Sequence, residues 1–440
     1  MKNIILLIIS TISISCNAQI IENNSHLIEK AQKDIKKPLE KFFSECLLTN
    51  DYSNCVNELI ISGTDEYKTY LIGGALYNID SDRSFELHKK SFDKNPNELN
   101  FNLEYAMELH RKGNYKEAIP LYLKYKEEKE TDYRIDVWLS ECFINIGKIN
   151  KSIKHWNGTN HPSNHTGIDK AIHAIHGRTD QIKLRSKLRN EVNSKNIKSS
   201  YELIFLDLNW ELDWWNTNIQ DVFIENDIEL IKKVFGEKSE VYQDLITYNS
   251  IKHLSKESNN DSIKNTLINS KIIINGNRLL PNGKITSDIL RILLMNNIVN
   301  ETDFYNQRKS DFLKLENTQK DAELLNIYAY LESVVNGHIS TETDKKGWHE
   351  YKDERFAISY FLGLAEKNKY DNPDLSKALF DFPNSAKIQW VKLNCAVIEN
   401  KEFKSDLIEL IKKDFKTLGS DQNKYSYGLK SYFYLLENGK

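Results

Sequence analysis

At 440 residues, 40% hydrophobic and 11% aromatic, the chain is too rich in apolar side chains to be a disordered protein. Only 17 glycines and 7 prolines argue against a loop-rich β-sandwich and favour long helices. A formal charge of −3, with acidic and basic residues interspersed, offers no basic footprint, so nucleic acid is not expected as a partner.

The N-terminal stretch MKNIILLIISTISISCNAQ sets Lys2 before an apolar run from Ile4 to Ile14 and then small residues. This is the layout of a secretory signal peptide, and the run is too short to span a membrane comfortably. Two cuts compete. Cys16-Asn17-Ala18 before Gln19 suits ordinary signal peptidase, which would remove residues 1–18. Ser13-Ile14-Ser15-Cys16 resembles a lipobox, which would remove residues 1–15 and lipidate Cys16, although Ser13 stands where Leu is usual. Either cut implies export, to the periplasm or to the outer membrane as an anchored lipoprotein, with no transmembrane span in the mature chain.

Residues 19–64 read as an N-terminal helical segment. Cys46 and Cys55 flank LLTNDYSN, a turn between two helices, and can form a disulfide or remain two thiols. Cys142 and Cys395 sit in apolar helical patterns and read as small core residues.

Residues 65–166 carry an internal repeat. A shift of 34 residues lays Gly113, Tyr115, Ala118 and Tyr122 on Gly147, Ile149, Ser152 and Trp156, and Tyr105-Ala106 on Leu139-Ser140. Ala106 or Ser140 lets two helices approach, the glycine turns the chain, and Ala118 or Ser152 with the aromatic four residues later lines the second helix. Leu71, Ser84, Ser91 and Pro96 fit a looser unit at 65–98 with an irregular inter-helix turn, and Pro120 should bend its helix slightly.

This register resembles the tetratricopeptide repeat family, most clearly over 99–132 and 133–166. A second echo lies at 346–440, where Trp390, Leu393, Asn394, Val397, Lys401 and Phe403 keep the family's spacing and Ala378 with Pro383 ends the preceding unit. The resemblance implies an all-α solenoid, a right-handed superhelix of helix-turn-helix units. It also implies a peptide-binding groove lined by first-helix side chains. From one unit these are Asn100, Leu103, Met107, His110 and Arg111, and from the next Arg134, Val137, Glu141, Ile144 and Asn145. Leu103 and Val137 occupy positions where the family's carboxylate clamp needs Lys and Asn, so an extended or helical peptide is expected rather than a captured C-terminus.

HWNGTNHPSNHTGIDKAIHAIHG holds His155, His161, His165, His173 and His176. No carboxylate or cysteine within it stands at a recognised ligand offset. It is read as a polar loop followed by a helix, and no metal or other cofactor is expected.

From 167 to 345 the register is lost and helical spacing persists. DLNWELDWWN at 207–216 sets Asp207, Glu211 and Asp213 among three tryptophans, which could suggest a glycosidase cleft. The helical wheel instead gives two apolar stripes, with Leu203, Leu206, Trp210 and Trp214 on one and Ile204, Leu208, Leu212 and Trp215 on the other, as for a helix packed on both sides with its tryptophans in the core. Asp207 and Glu211 fall between the stripes, where they could line a groove, but two carboxylates of one helix cannot flank a bond. TSDILRILLMNN is expected to open with Thr286 or Ser287 as N-cap, and breaks are expected at 255–261, 275–284 and 336–347. A loop is favoured over a hairpin at Asn282-Gly283, and GWHEYKDERF is read as a loop leading into the next helix.

No phosphate-binding glycine loop, His-Glu-x-x-His, Gly-x-Ser-x-Gly or paired Cys-x-x-Cys occurs. The expected function is therefore a non-catalytic exported scaffold for a protein or peptide partner. The alternatives are a glycan-binding surface lipoprotein, or an envelope enzyme with its site in 167–345.

Overall fold

The computed structural model describes residues 25–45, 52–159, 166–178, 181–209, 217–256, 260–269, 282–366, 374–398, 402–418 and 428–439. The expected signal segment and Cys16 lie outside them. Among the described residues every regular element is an α-helix, with no strand. No helix among them is long and apolar enough to cross a membrane.

In chain order the helices are α1 (Ser25–Ser44), α2 (Tyr52–Ile61), α3 (Glu66–Leu76), α4 (Ser81–Lys94), α5 (Leu99–Arg111), α6 (Tyr115–Glu128), α7 (Tyr133–Asn145), α8 (Ile149–Asn157) and α9 (Thr166–His176). There follow α10 (Gln181–Asn193), α11 (Ile197–Asn209), α12 (Thr217–Phe235), α13 (Glu240–Lys256), α14 (Asn260–Asn269), α15 (Gly283–Met295), α16 (Glu301–Gln319) and α17 (Ala322–Asn336). The last are α18 (Thr341–Tyr351), α19 (Glu354–Glu366), α20 (Asp374–Asp381), α21 (Ala386–Ile398), α22 (Lys404–Leu418) and α23 (Leu429–Asn438). Two compact units share them. The first takes Met1–Leu184, Asp213–Ile219 and Ala396–Lys440, and the second Arg185–Leu212 and Gln220–Cys395.

The first unit shows the 34-residue register directly, since α5 and α7 start one period apart, as do α6 and α8. Gly113 (φ 80°) and Gly147 (φ 75°) end the first helix of each pair in the left-handed region. The next residue closes a Schellman turn in both: Asn114 N–H donates to Leu109 O and Lys148 N–H to Phe143 O, each at 2.8 Å. Ala106, Ala118, Ser140 and Ser152 are fully buried where the paired helices meet. The serines replace an apolar contact with reciprocal bonds, Ser140 Oγ to Ser152 O at 3.0 Å and Ser152 Oγ to Ser140 O at 2.7 Å. The earlier pair, α3 and α4, is joined by residues 77–80. There Ser84 Oγ reaches Gly73 O at 2.9 Å, and a Cβ on Gly73 would sit 2.8 Å from the His88 ring.

The same unit recruits α22 and α23, which pack on α7 and α8. Trp156 of α8 stacks on Phe433 with ring centroids 4.4 Å apart and meets Phe415 edge-on. Cys55 in α2 is disulfide-bonded, while its expected partner Cys46 lies outside the described residues. Cys142 is a buried thiol, as expected of a small core residue.

The second unit lays α11, α13, α15 and α17 around one apolar core that includes Leu203, Ile204, Leu245, Ile289, Leu293 and Leu324. Two phenol–carboxylate rungs cross it. Tyr201 of α11 donates to Asp244 of α13, and Tyr248 of α13 donates to Asp288 of α15, both at 2.7 Å. A second core gathers Trp348, Phe356, Phe361 and Ile388, with the Trp348 indole donating to Asp381 at 2.9 Å.

Three local expectations are corrected. Thr286 and Ser287 lie inside α15, whose N-cap is Asn282: its Oδ1 accepts from Ile285 N–H at 3.0 Å, and Asp321 takes the Gly283 N–H at 2.9 Å. GWHEYKDERF is not a loop, because Gly347, Trp348 and His349 belong to α18 and only Lys352 and Asp353 separate it from α19. Gly347 serves packing there, since a Cβ would sit 2.5 Å from the Phe356 ring. Asp207 lines no groove: it is fully buried and ion-paired.

Candidate functional site

Helix α9 packs against α5, α7 and α22, so it lies on the faces from which the expected groove residues project. Met107, His110 and Glu141 are buried there, and Asn100, Arg111, Arg134 and Asn145 are half-buried. Leu103, Val137 and Ile144 are buried as well. Side-chain donors from the repeats reach the α9 backbone: Trp138 Nε1 to Ala171 O at 2.8 Å, Tyr133 OH to Gly167 O at 3.3 Å, and the Tyr77 hydroxyl to Ala174 O. Each adds a bond to a carbonyl already engaged in or near the helical ladder, because an sp² oxygen has two lone pairs.

Two buried carboxylates anchor the C-terminal end of this segment. Glu141, fully buried on α7, has His110 of α5 and His176 of α9 on its two oxygens: Oε2 lies 3.1 Å from His110 Nε2, and Oε1 lies 2.6 Å from His176 Nε2. The two imidazoles meet edge-to-face at 5.7 Å. The other ring nitrogen of His110 faces the Tyr122 hydroxyl at 3.2 Å and Cys142 Sγ at 3.6 Å. Burial on its own raises the Glu141 carboxyl, but His176 and His110 outweigh it and hold the acid well below the usual carboxylate range. Burial also holds the His110 imidazole below its ordinary value, with Glu141 pulling the other way. Although His110 Nε2 and Glu141 Oε2 are close, neither atom has a hydrogen bond of acceptable geometry.

Glu108, fully buried on α5, is the second anchor. His88 Nδ1 lies 3.1 Å and the Ser84 hydroxyl 2.8 Å from its Oε1, while Arg178 approaches Oε2 at 2.6 Å and Arg111 at 3.2 Å. Burial again acts to raise this carboxyl and is outweighed, here by His88 and Arg178. The Arg178 guanidinium also covers the Tyr77 ring at 3.0 Å from its centroid. One turn earlier on α5, Glu104 is pushed up by burial. Charges removed this far from water persist only when matched or hydrogen-bonded; Arg178, just beyond α9, brings a guanidinium to Glu108, and His176, at the end of α9, brings an imidazole nitrogen to Glu141.

The remaining histidines of the His-rich stretch are placed elsewhere. His155 pairs with Asp136 at 2.8 Å and stacks on Phe143, and His173 is half-buried on α9. His161 and His165 lie outside the described residues, as do Trp210, Glu211, Asp213, Trp214 and Trp215. In the second unit Arg185 bridges Asp207 at 3.0 Å and Asp227 at 2.5 Å, and Arg189 also reaches Asp227. Burial, with the neighbouring Asp227, pushes Asp207 well above its ordinary value against the pull of Arg185.

His110 and Glu141 are legible in the sequence as groove residues and His176 as part of a His-rich stretch, yet nothing there joins them. Their separations, each about one repeat, are the one available signal. His88, Glu108, Tyr122 and Arg178 escape sequence reasoning because each looks like an ordinary helical side chain until α9 is laid across them. No protein-family model matches the chain, and no curated protein shows significant similarity to it.

Proposed function

We propose that the chain is an exported scaffold of the tetratricopeptide repeat type that mediates protein–protein or peptide interaction in the cell envelope and carries no catalysis of its own. The observation that supports this most is α9. A helical segment of the chain rests on the face of α5 and α7, held by an indole and a phenol against its backbone and by buried carboxylates at its C-terminal end. A face with these donors and acids suits a helical peptide with a cationic or imidazole side chain in its last turn. Such a partner competes with α9 for the same surface.

Site-specific photocrosslinking in intact cells tests the reading. A crosslinker at Asn145, at the half-buried end of α7, should give a discrete product identifiable by mass spectrometry. The same group at exposed Lys116 should not. Products from both positions alike, or from neither, count against the groove. Mass spectrometry of the N-terminus tests export independently: an intact Met1 on cytosolic protein refutes it, and a diacylated Cys16 decides between the two cuts.

A further inference from the structure

We propose that His110, Glu141 and His176 form a binding site for a first-row divalent transition-metal ion of the zinc class. The three residues come from three separate helices, and one potential ligand atom from each lies within 4.8 Å of the others. Zinc bonds of about 2.0–2.2 Å to nitrogen and oxygen put two donors of one ion roughly 3–4 Å apart. His110 Nε2 already lies 3.1 Å from Glu141 Oε2 and His176 Nε2 2.6 Å from Glu141 Oε1, so binding requires the side chains to shift until all three donors, now within 4.8 Å, reach that spacing. Two imidazoles and one carboxylate make a set that zinc, copper, iron or nickel accepts and that calcium or magnesium, which require oxygen donors, does not.

The orphaned atoms carry the argument. His110 Nε2 and Glu141 Oε2 are buried, face each other at 3.1 Å and make no hydrogen bond, an arrangement that leaves polar capacity unused in the interior. A cation where these atoms converge uses both lone pairs at once, and its charge offsets that of the buried carboxylate. The surroundings resemble those of a ligand histidine, because Tyr122 engages His110 at Nδ1 and so fixes which nitrogen faces Glu141. His176 keeps an 11% exposed side chain and provides the route by which an ion exchanges with solvent. Bound metal would tie α9 to α5 and α7, making the seating of that helix depend on metal supply. The inference stands apart from the scaffold reading and needs no partner.

The test is zinc titration of the full-length, metal-stripped protein against a competing chromophoric chelator, with amide exchange followed in parallel. One zinc ion per chain is expected, together with added protection over 166–176. His176→Ala, at an edge position that spares the core, should weaken binding roughly 100-fold or more, and Tyr122→Phe about tenfold. The double variant His161→Ala/His165→Ala should bind like the wild type. Wild-type protein that takes up no zinc overturns the proposal without any variant. So does unchanged affinity in His176→Ala, or loss of binding confined to the His161/His165 variant. If circular dichroism shows His176→Ala to be unfolded, His176→Gln serves in its place under the same criteria.

Discussion

Asp344 shows how a single side chain can set the pH response of its surroundings. Burial, aided by the charge of Glu332, pushes its carboxyl up to about 7 from an ordinary 3.8. The folded state therefore binds its proton more tightly than the unfolded chain does. Its charged form costs stability, and that cost grows as pH rises from the unfolded value and is fully present above the folded one. Asp344→Asn should stabilise the protein by about 1–3 kcal/mol at mildly alkaline pH, with the gain fading toward pH ~4. Urea melts across that range read the difference, and a pH-independent gain would remove the ionisation argument. Ala118 offers a contrasting case. It is fully buried between paired helices, so Ala118→Leu should cost about 1–3 kcal/mol by overpacking, while exposed Lys116→Ala should cost about 0.5 kcal/mol or less. Ala118 is legible in the sequence because a small residue recurs at its place one period later. Asp344 is not, because its acidity depends on α17, which carries Glu332.

Among the elements, two glycines show what a sequence discloses and what it withholds. Both say that a Cβ is unwelcome, but for different reasons. Gly147 has φ 75° and nothing within 4 Å of the place a Cβ would take, so Gly147→Ala should cost about 1–2 kcal/mol through backbone conformation alone. Gly347 sits inside α18 with the Phe356 ring 2.5 Å from its Cβ position. Gly347→Ala should therefore cost about 1–3 kcal/mol by forcing that ring aside, and the pair Gly347→Ala/Phe356→Leu should recover part of it. Thermal melts of the three variants separate the cases, since an unrescued double variant would place the strain in the backbone. The sequence reads Gly147 correctly because the helical pattern stops there. It misreads Gly347 as loop because hydrophobic periodicity carries no record of a ring approaching from the next helix. The N-cap of α15 fails for a related reason: Thr286 and Ser287 are good caps by type, but Asn282 caps the helix a turn earlier with Asp321 as support.

At the scale of the molecule, the all-α repeat arrangement is legible because it rests on local signals, the 34-residue register and the helical spacing of apolar residues. The partners of each buried face are not legible. Trp156 is marked as apolar by its position in the repeat, but what covers it is Phe433 and Phe415, and its neighbour Asn157 bonds Glu437 at 3.0 Å across most of the chain. Trp156→Ala should open a cavity worth about 3–5 kcal/mol and release amide protection in α23 as well as α8. Exchange measurements that show the loss confined to α8 would mean that the ring stack contributes little. The candidate site escapes for the same reason, because α9 brings its histidine to α5 and α7 only in three dimensions.

The interleaved make-up of the two units also gives the protein a timetable. Synthesis runs from the N-terminus, and domains generally begin to fold as their segments emerge. Here α7 and α8 emerge early, yet α22 and α23, which cover them, follow only after the entire second unit has been made. For that interval Trp156 and the apolar surface around it await their cover. Completion of the first unit is thus scheduled last, and that surface stays uncovered until residues 404–438 arrive.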